Sequence, residues 1–405
     1  MDSSSISIRE GRYTQATNCH WPVAASWTIS IEERDPFLRS SRTGIDYTLP
    51  TILTAEPESE DPTDSVVSSM LEVFIPHHSR WQKVHIRYKD AWSEKTGFTS
   101  LPKDTLFPLL ELYLEKSYWL EQDDMDCITS TMLSAPRLHS LTHFWLSHII
   151  SMTEGLRIIT FYPQLTSLEL TLILPVQVTT TNGSGPIVHN NLQRLHLSTA
   201  GDLGFLFDKL TLPALEDLSL SEVHGAFPNI TPAHISHWPQ SQFLVFLLHS
   251  VCTVKHLIIQ ECDISAEEML ECLAHPQIST WLDSLSITEE HQRHLCVTEE
   301  ALRRLTCITF GEKVLHSWDD LPAEETITET LSPNLSTIKL WGYISAQDGR
   351  VADMVESRWL LAENCPIKQL KMAVIGLFAD ACHTDDWARL QALNRKRFGI
   401  TYLQL

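Results

Sequence analysis

Cys252, Cys262 and Cys272 fall ten residues apart, with His249, His256 and His275 close by. Thiolate and imidazole are the ligands of a tetrahedral zinc site, so this set is the first candidate for metal chemistry. The surrounding pattern argues against it. Cys252 precedes a strand-like run, Cys262 follows that run at a turn, and Cys272 lies in a helical apolar stripe, so the thiols face different ways. Cys382-His-Thr-Asp-Asp386 also has ligand letters in a row. Neighbours in sequence seldom converge on one ion, and Asp and Thr here suit the start of a helix. His291-Gln-Arg-His294 has the wrong spacing for a zinc-protease helix and no acid between its histidines. Gly183-Ser-Gly185-Pro186 lacks the strand, helix and spacing of a phosphate cradle, and no G-x-S-x-G elbow occurs. No catalytic residue, cofactor or metal is therefore expected.

The chain has 405 residues and a formal net charge of −21. Phosphate contact needs clustered Lys and Arg, so nucleic acid and anionic membranes are not expected partners. The small basic end at Arg389, Arg395, Lys396 and Arg397 reads as a solvated helix face. Hydrophobic residues make up 43% and charged residues 20%, a balance that buries a core. The N-terminus has no basic, then apolar, signal pattern, and no apolar run approaches a bilayer span. The longest dense run, Phe243–Leu248, reads as core. Nine cysteines without an export signal are expected to be reduced thiols. Location in the cytoplasm or nucleus follows by default.

The elements that position side chains come from a repeat. An apolar residue, two others, an apolar residue, one other and an apolar residue recur along the chain. The copies are Trp81-Val84-Ile86, Leu109-Leu112-Leu114, Leu138-Leu141-His143, Leu165-Leu168-Leu170 and Leu192-Leu195-Leu197. They continue as Leu215-Leu218-Leu220, Val254-Leu257-Ile259, Leu282-Leu285-Ile287, Leu335-Ile338-Leu340 and Ile367-Leu370-Met372. First positions lie 28, 29, 27, 27, 23, 39, 28, 53 and 32 residues apart, and the gap of 53 has room for a degenerate unit, Leu302-Leu305-Cys307. The period is that of a leucine-rich repeat. The last two apolar positions, two apart, put both side chains on one face of a short strand. One strand cannot bury that face alone, and parallel neighbours can.

Return segments carry helix signals. Ser265 and Glu268 form a capping box before the stripe Met269, Leu270, Cys272 and Leu273. Thr298 opens another helix through Leu302 and Leu305. Pro108, Pro136, Pro163 and Pro213 mark boundaries between helix and strand. Residues 1–64 differ, with five prolines and an acidic loop at 54–64. Trp27-Thr-Ile29-Ser-Ile31 alternates and suits an edge strand. Further loops are expected at 179–186 and 317–333.

Several phrases resemble a known family. Ile75–Ile86 resembles the segment that leads into the repeats of the F-box/leucine-rich-repeat-like proteins of mushroom-forming fungi, and Ser134–Leu141, Pro163–Leu170, Leu210–Leu220, Glu261–Pro276 and Met354–Trp359 are similar to that family's repeat phrases. The likeness covers roughly residues 65–375. It implies a substrate-receptor role in a cullin ubiquitin ligase, with a Skp-type adaptor docked on an F-box. The F-box is expected to be missing from this chain: Leu49-Pro50-Thr-Ile-Leu53 has its opening letters, but prolines 57 and 62 follow. An adaptor partner is expected only if an F-box exists upstream.

The expected fold is α/β: a leucine-rich-repeat solenoid over residues 65–405, of about nine to eleven irregular repeats, behind an irregular N-terminal segment, 1–64. A curved parallel sheet would carry helices and loops on its convex side. Side chains flanking the second and third apolar positions would line the concave face, the place for a protein partner. Tyr113, Phe144, Glu169, Arg194, His196, Lys339 and Trp341 are the candidates, because aromatics and Arg most often anchor interfaces. The expected function is a non-enzymatic protein-interaction module. The alternatives are an enzyme with an unrecognised hydrolytic or transferase site in the C-terminal region, or a truncated product without selected activity.

Overall fold

The computed structural model describes residues 27–34, 48–55, 81–88, 109–116, 140–173, 185–199, 203–222, 237–289, 296–307, 330–361, 365–377, 383–395 and 399–404. The acidic loop from residue 56, His291–His294, residues 317–329 of the expected loop and Cys382 lie outside them. The chain divides into two compact units, residues 1–197 and 198–405.

The first unit begins with β1 (Trp27–Arg34), β2 (Thr48–Ala55) and β3 (Trp81–Tyr88). β1 pairs antiparallel with both β2 and β3, so it is an inner strand and β2 takes the edge. The expected irregular segment thus supplies two strands, and Leu49–Leu53 is extended, as Pro50 favours. β4 (Glu111–Lys116), β5 (His143–Ser151) and β6 (Ser167–Ile173) follow β3 in parallel. β7 (Ile187–Val188) and β8 (Arg194–Thr199) come next in the chain.

Register explains the triplets. Val84, Leu112, Phe144 and Leu168 align across β3 to β6, and so do Ile86, Leu114 and Leu146. Their described side chains are buried. Here two expectations are corrected together. The copy on β5 is Leu141-Phe144-Leu146, not Leu138-Leu141-His143. Leu141 belongs to both frames, and an offset of three residues exchanges the two faces of a strand. Phe144, expected on the open face, is 3% exposed and packs edge-on against Tyr162 at 6.3 Å between ring centroids. A bulge after Leu146 then shifts the β5 register. It leads into α1 (Met152–Phe161), closed at its start by a Ser151–Glu154 capping box.

In the second unit, α2 (Gly204–Phe207), β9 (Leu210–Thr211), β10 (Asp217–Glu222), α3 (Gln240–Ser250) and β11 (His256–Gln260) come first. The expected core run Phe243–Leu248 lies on α3. Phe243, Phe246 and Leu247 are buried, while Val245 and Leu248 face outward, as a helix dictates. Next come α4 (Ala266–Ala274), α5 (Pro276–Ser279), β12 (Ser284–Glu289) and α6 (Glu299–Leu305). The unit ends with β13 (Thr337–Gly342), α7 (Arg350–Trp359), β14 (Met372–Leu377), α8 (Thr384–Arg395) and β15 (Gly399–Gln404). β10 to β15 are parallel throughout. Leu218, Leu257, Leu285, Ile338, Ala373 and Ile400 form one row, and Leu220, Ile259, Ile287, Leu340, Ile375 and Tyr402 the next.

Two more copies are corrected. β14 carries Leu370-Ala373-Ile375 in place of Ile367-Leu370-Met372, and Met372 is 44% exposed. Leu302 and Leu305 belong to α6, capped by Thr298 as expected, and β12 pairs directly with β13. Their spacing of three residues fits a helix as well as a strand approach.

One backbone step recurs at successive strands. The carbonyl of Leu110 accepts from the N–H groups of Thr142 and His143, and that of Thr142 from Thr166 and Ser167. In the second unit Glu216, Lys255, Asp283 and Ser336 each accept two N–H groups from the next strand in the same way. Leu165, Leu215 and Leu335 each close a turn onto a carbonyl three residues back, and these turns hold Pro163, Pro213 and Pro333. The repeat is thus a repeat of hydrogen bonds as well as of leucines.

Candidate functional site

Because alternate strand residues point away from the buried rows, β3, β4, β5, β6 and β8 of the first unit build an open face. β3 contributes Lys83 and His85, β4 Glu111 and Tyr113, and β5 His143 and Trp145. β6 adds Glu169, and β8 adds Arg194 and His196. In register, His85, Tyr113, Trp145 and Glu169 form one row across four strands.

Three rings of that row make a cluster. Ring centroids lie 5.9 Å apart for His85–Tyr113, 6.0 Å for Tyr113–Trp145 and 6.2 Å for His85–Trp145. Tilted and edge-on contacts at these distances suit the ring quadrupoles. Polar groups surround them. The Lys83 ammonium lies 3.0 Å from Glu111 and 5.2 Å from the Tyr113 centroid, and the Tyr113 hydroxyl donates to Glu111 at 3.2 Å. Burial and the neighbouring Glu111 charge push the Tyr113 phenol upward. Burial alone would raise the Glu169 carboxyl, but hydrogen bonds from His196 and Trp145 and the His196 charge hold it below its ordinary value.

His143 has an assignable proton. The Thr142 hydroxyl donates to the Leu110 carbonyl and lies 2.9 Å from His143 Nδ1, so Nδ1–H donates to that hydroxyl oxygen. Nε2 then accepts from the Arg194 guanidinium at 3.2 Å. Burial lowers the imidazole's pKa, with Arg194 and Lys83 adding to the effect against Glu111.

The expected partner residues therefore separate. Tyr113, Glu169, Arg194 and His196 share the first unit's open face. Phe144 does not belong, and Trp145 holds the place assigned to it. Lys83, His85, His143 and Trp145 were missed. For the last two, the polar His143 in a supposedly apolar position was the available signal. Lys339 and Trp341 lie on β13 of the second unit. Lys339 sits 5.8 Å from the Trp341 centroid, and the indole covers the bare Gly376 on β14. A Cβ at Gly376 would come within 2.5 Å of the ring.

The candidate metal ligands behave as structural groups. The Cys262 thiol points at the carbonyls of Leu220 and Gln260, at 3.6 and 3.5 Å, and the Cys272 thiol at Gln240 Oε1, at 3.3 Å. Burial pushes both thiols upward, so they stay protonated donors. Asp348, His383 and Asp386 do converge, with one candidate ligand atom from each within 4.8 Å of the others. Helix capping accounts for them. Asp348 accepts from the N–H groups of Asp385 and Asp386 at the start of α8 and from the Thr384 hydroxyl. Asp386, fully buried, accepts from the Ala352 N–H in the first turn of α7 at 2.6 Å. Each helix is thus capped by an aspartate lying beside or within the other. His383 joins the pair: Nδ1 donates to Asp386 at 2.9 Å and Nε2 to the Ile344 carbonyl at 3.3 Å. Both ring nitrogens face acceptors, an arrangement that favours the imidazolium and is satisfied without a metal.

A pH dependence follows from that ion pair. The hydrogen bond to Asp386 raises the His383 pKa against the cost of burial. A group with a raised folded pKa stabilises fully below its unfolded value, about 6.5, and the gain is lost as pH rises through the folded pKa. Unfolding midpoints of the wild-type chain are therefore expected to fall as pH rises from about 6 through that value. The His383→Gln chain is expected to lose this slope, and an unchanged slope would contradict the assignment.

No described helix is long and apolar enough to cross a membrane. No family model matches the chain, and neither a curated protein nor a solved structure matches it.

Proposed function

We propose that the chain is a non-enzymatic protein-interaction module, a leucine-rich-repeat scaffold resembling the substrate-recognition part of an F-box/leucine-rich-repeat ubiquitin-ligase receptor. The observation that carries this reading is the first unit's open face, where Tyr113 on β4, Trp145 on β5 and Arg194, reaching across from β8 to His143 on β5, lie above a fully apolar row. Tyr, Trp and Arg are the side chains that most often dominate binding energy at interfaces. The scaffold under them is rigid strand rather than loop, so little ordering has to occur on binding. The parallel rows, the free cysteine hydrogen-bonded at a strand end, and the recurring two-N–H step support the repeat assignment.

The test is affinity capture from a cell lysate by the tagged chain and by its Tyr113→Ala/Trp145→Ala variant. A partner recovered by the former is expected to fall by about 30-fold or more with the latter, the loss of a hot spot. Undiminished recovery would remove this face from the account.

A further inference from the structure

The charges on the first unit's open face are unevenly matched. Glu111 is paired with Lys83 at 3.0 Å, and Glu169 faces His196 at 3.5 Å. Arg194 is exposed, and no described carboxylate pairs with it. Its neighbour is the lone pair of His143, a neutral ring whose other nitrogen is committed to Thr142. A guanidinium in that setting retains most of its donors, in a fork that fits a carboxylate. Beside it stand Tyr113 and Trp145, 6.0 Å apart and half-buried, a shelf for an apolar or aromatic side chain. A cation is the poorer fit for the same rings, because Lys83 already lies over Tyr113.

Resting on the interaction-module reading, we infer that this face binds an acidic peptide segment: a carboxylate seats on Arg194, and an adjacent aromatic or aliphatic side chain rests on Tyr113 and Trp145. Charge complementarity identifies the occupant. The chain's net charge of −21 repels an acidic partner at long range, so affinity depends on the local fork rather than on steering. Lysine at position 194 keeps the charge and loses the fork, and is a poor substitute.

The experiment selects displayed random-sequence peptides on the immobilised full chain, in parallel on wild type, Arg194→Glu and Trp341→Ala. Arg194 is exposed, so the variant is expected to keep the wild-type unfolding midpoint, which is measured first. Wild type is expected to enrich Asp or Glu next to an apolar residue. A synthetic peptide from that pool is expected to bind Arg194→Glu about 30-fold more weakly, and its Gln counterpart to lose as much on wild type. Enrichment of Lys or Arg on wild type, or equal binding to Arg194→Glu, overturns the inference. Peptides indifferent to Arg194 but lost on Trp341→Ala would overturn it while leaving the interaction-module reading in place. No enrichment on any form counts against both.

Discussion

Replacing Arg358 with Ala is expected to cost the fold about 4 kcal/mol, the sum of several buried acceptors left without a donor. Arg358 is fully buried on α7, yet no described carboxylate pairs with it. Its guanidinium donates to three backbone carbonyls: Leu305 at the end of α6, Leu331 at 2.6 Å and Ser332 at 3.1 Å. Those carbonyls lie where α6 ends and where the chain returns toward β13. One side chain therefore ties α6, the returning segment and α7 together. Burial lowers its pKa to about 10, which leaves it charged at neutral pH. Methionine at this position fills the space but restores no donor, so Arg358→Met is expected to recover only part of the loss. The check is urea unfolding of the three chains. A wild-type midpoint in Arg358→Ala would show that the carbonyls find other partners.

The Arg358 clamp lies inside the phrase Met354–Trp359. The letters were visible; that an arginine would be the largest fully buried side chain among the described residues was not, because residue type predicts the opposite. The apolar rows were legible because leucine recurs at a fixed offset. Their frame was legible only where the flanking residues were unambiguous. Leu138, Leu141 and Phe144 satisfy the same spacing twice over, as do Ile367, Leu370 and Ala373, and in each case the earlier copy was the wrong one. Capping boxes such as Ser265–Glu268 are local, within four residues, and could be read directly. The mutual caps of α7 and α8 join residues more than thirty apart, as in Ala352 to Asp386, and needed coordinates. The open face was legible in principle once parity was right, since every member sits at a defined step from a buried apolar residue.

That parity is the central claim, and β5 is where it was most easily misread. Phe144 aligns with Leu112 and Leu168 on the buried row, and Trp145 aligns with Tyr113 and Glu169 on the open one. Truncating a buried Phe removes its transfer energy and leaves a cavity, at about 3–5 kcal/mol. Truncating a half-buried Trp on the other face removes ring contacts with Tyr113 and His85 and a hydrogen bond to Glu169, a smaller loss. The two residues are adjacent in sequence and similar in character, so only the face they occupy separates them. The direct measurement is the urea midpoint of Phe144→Ala against that of Trp145→Ala. The account predicts a large drop for Phe144→Ala and a shift less than half as large for Trp145→Ala; equal drops, or the reverse order, would contradict the assignment of faces and the recognition surface proposed on it.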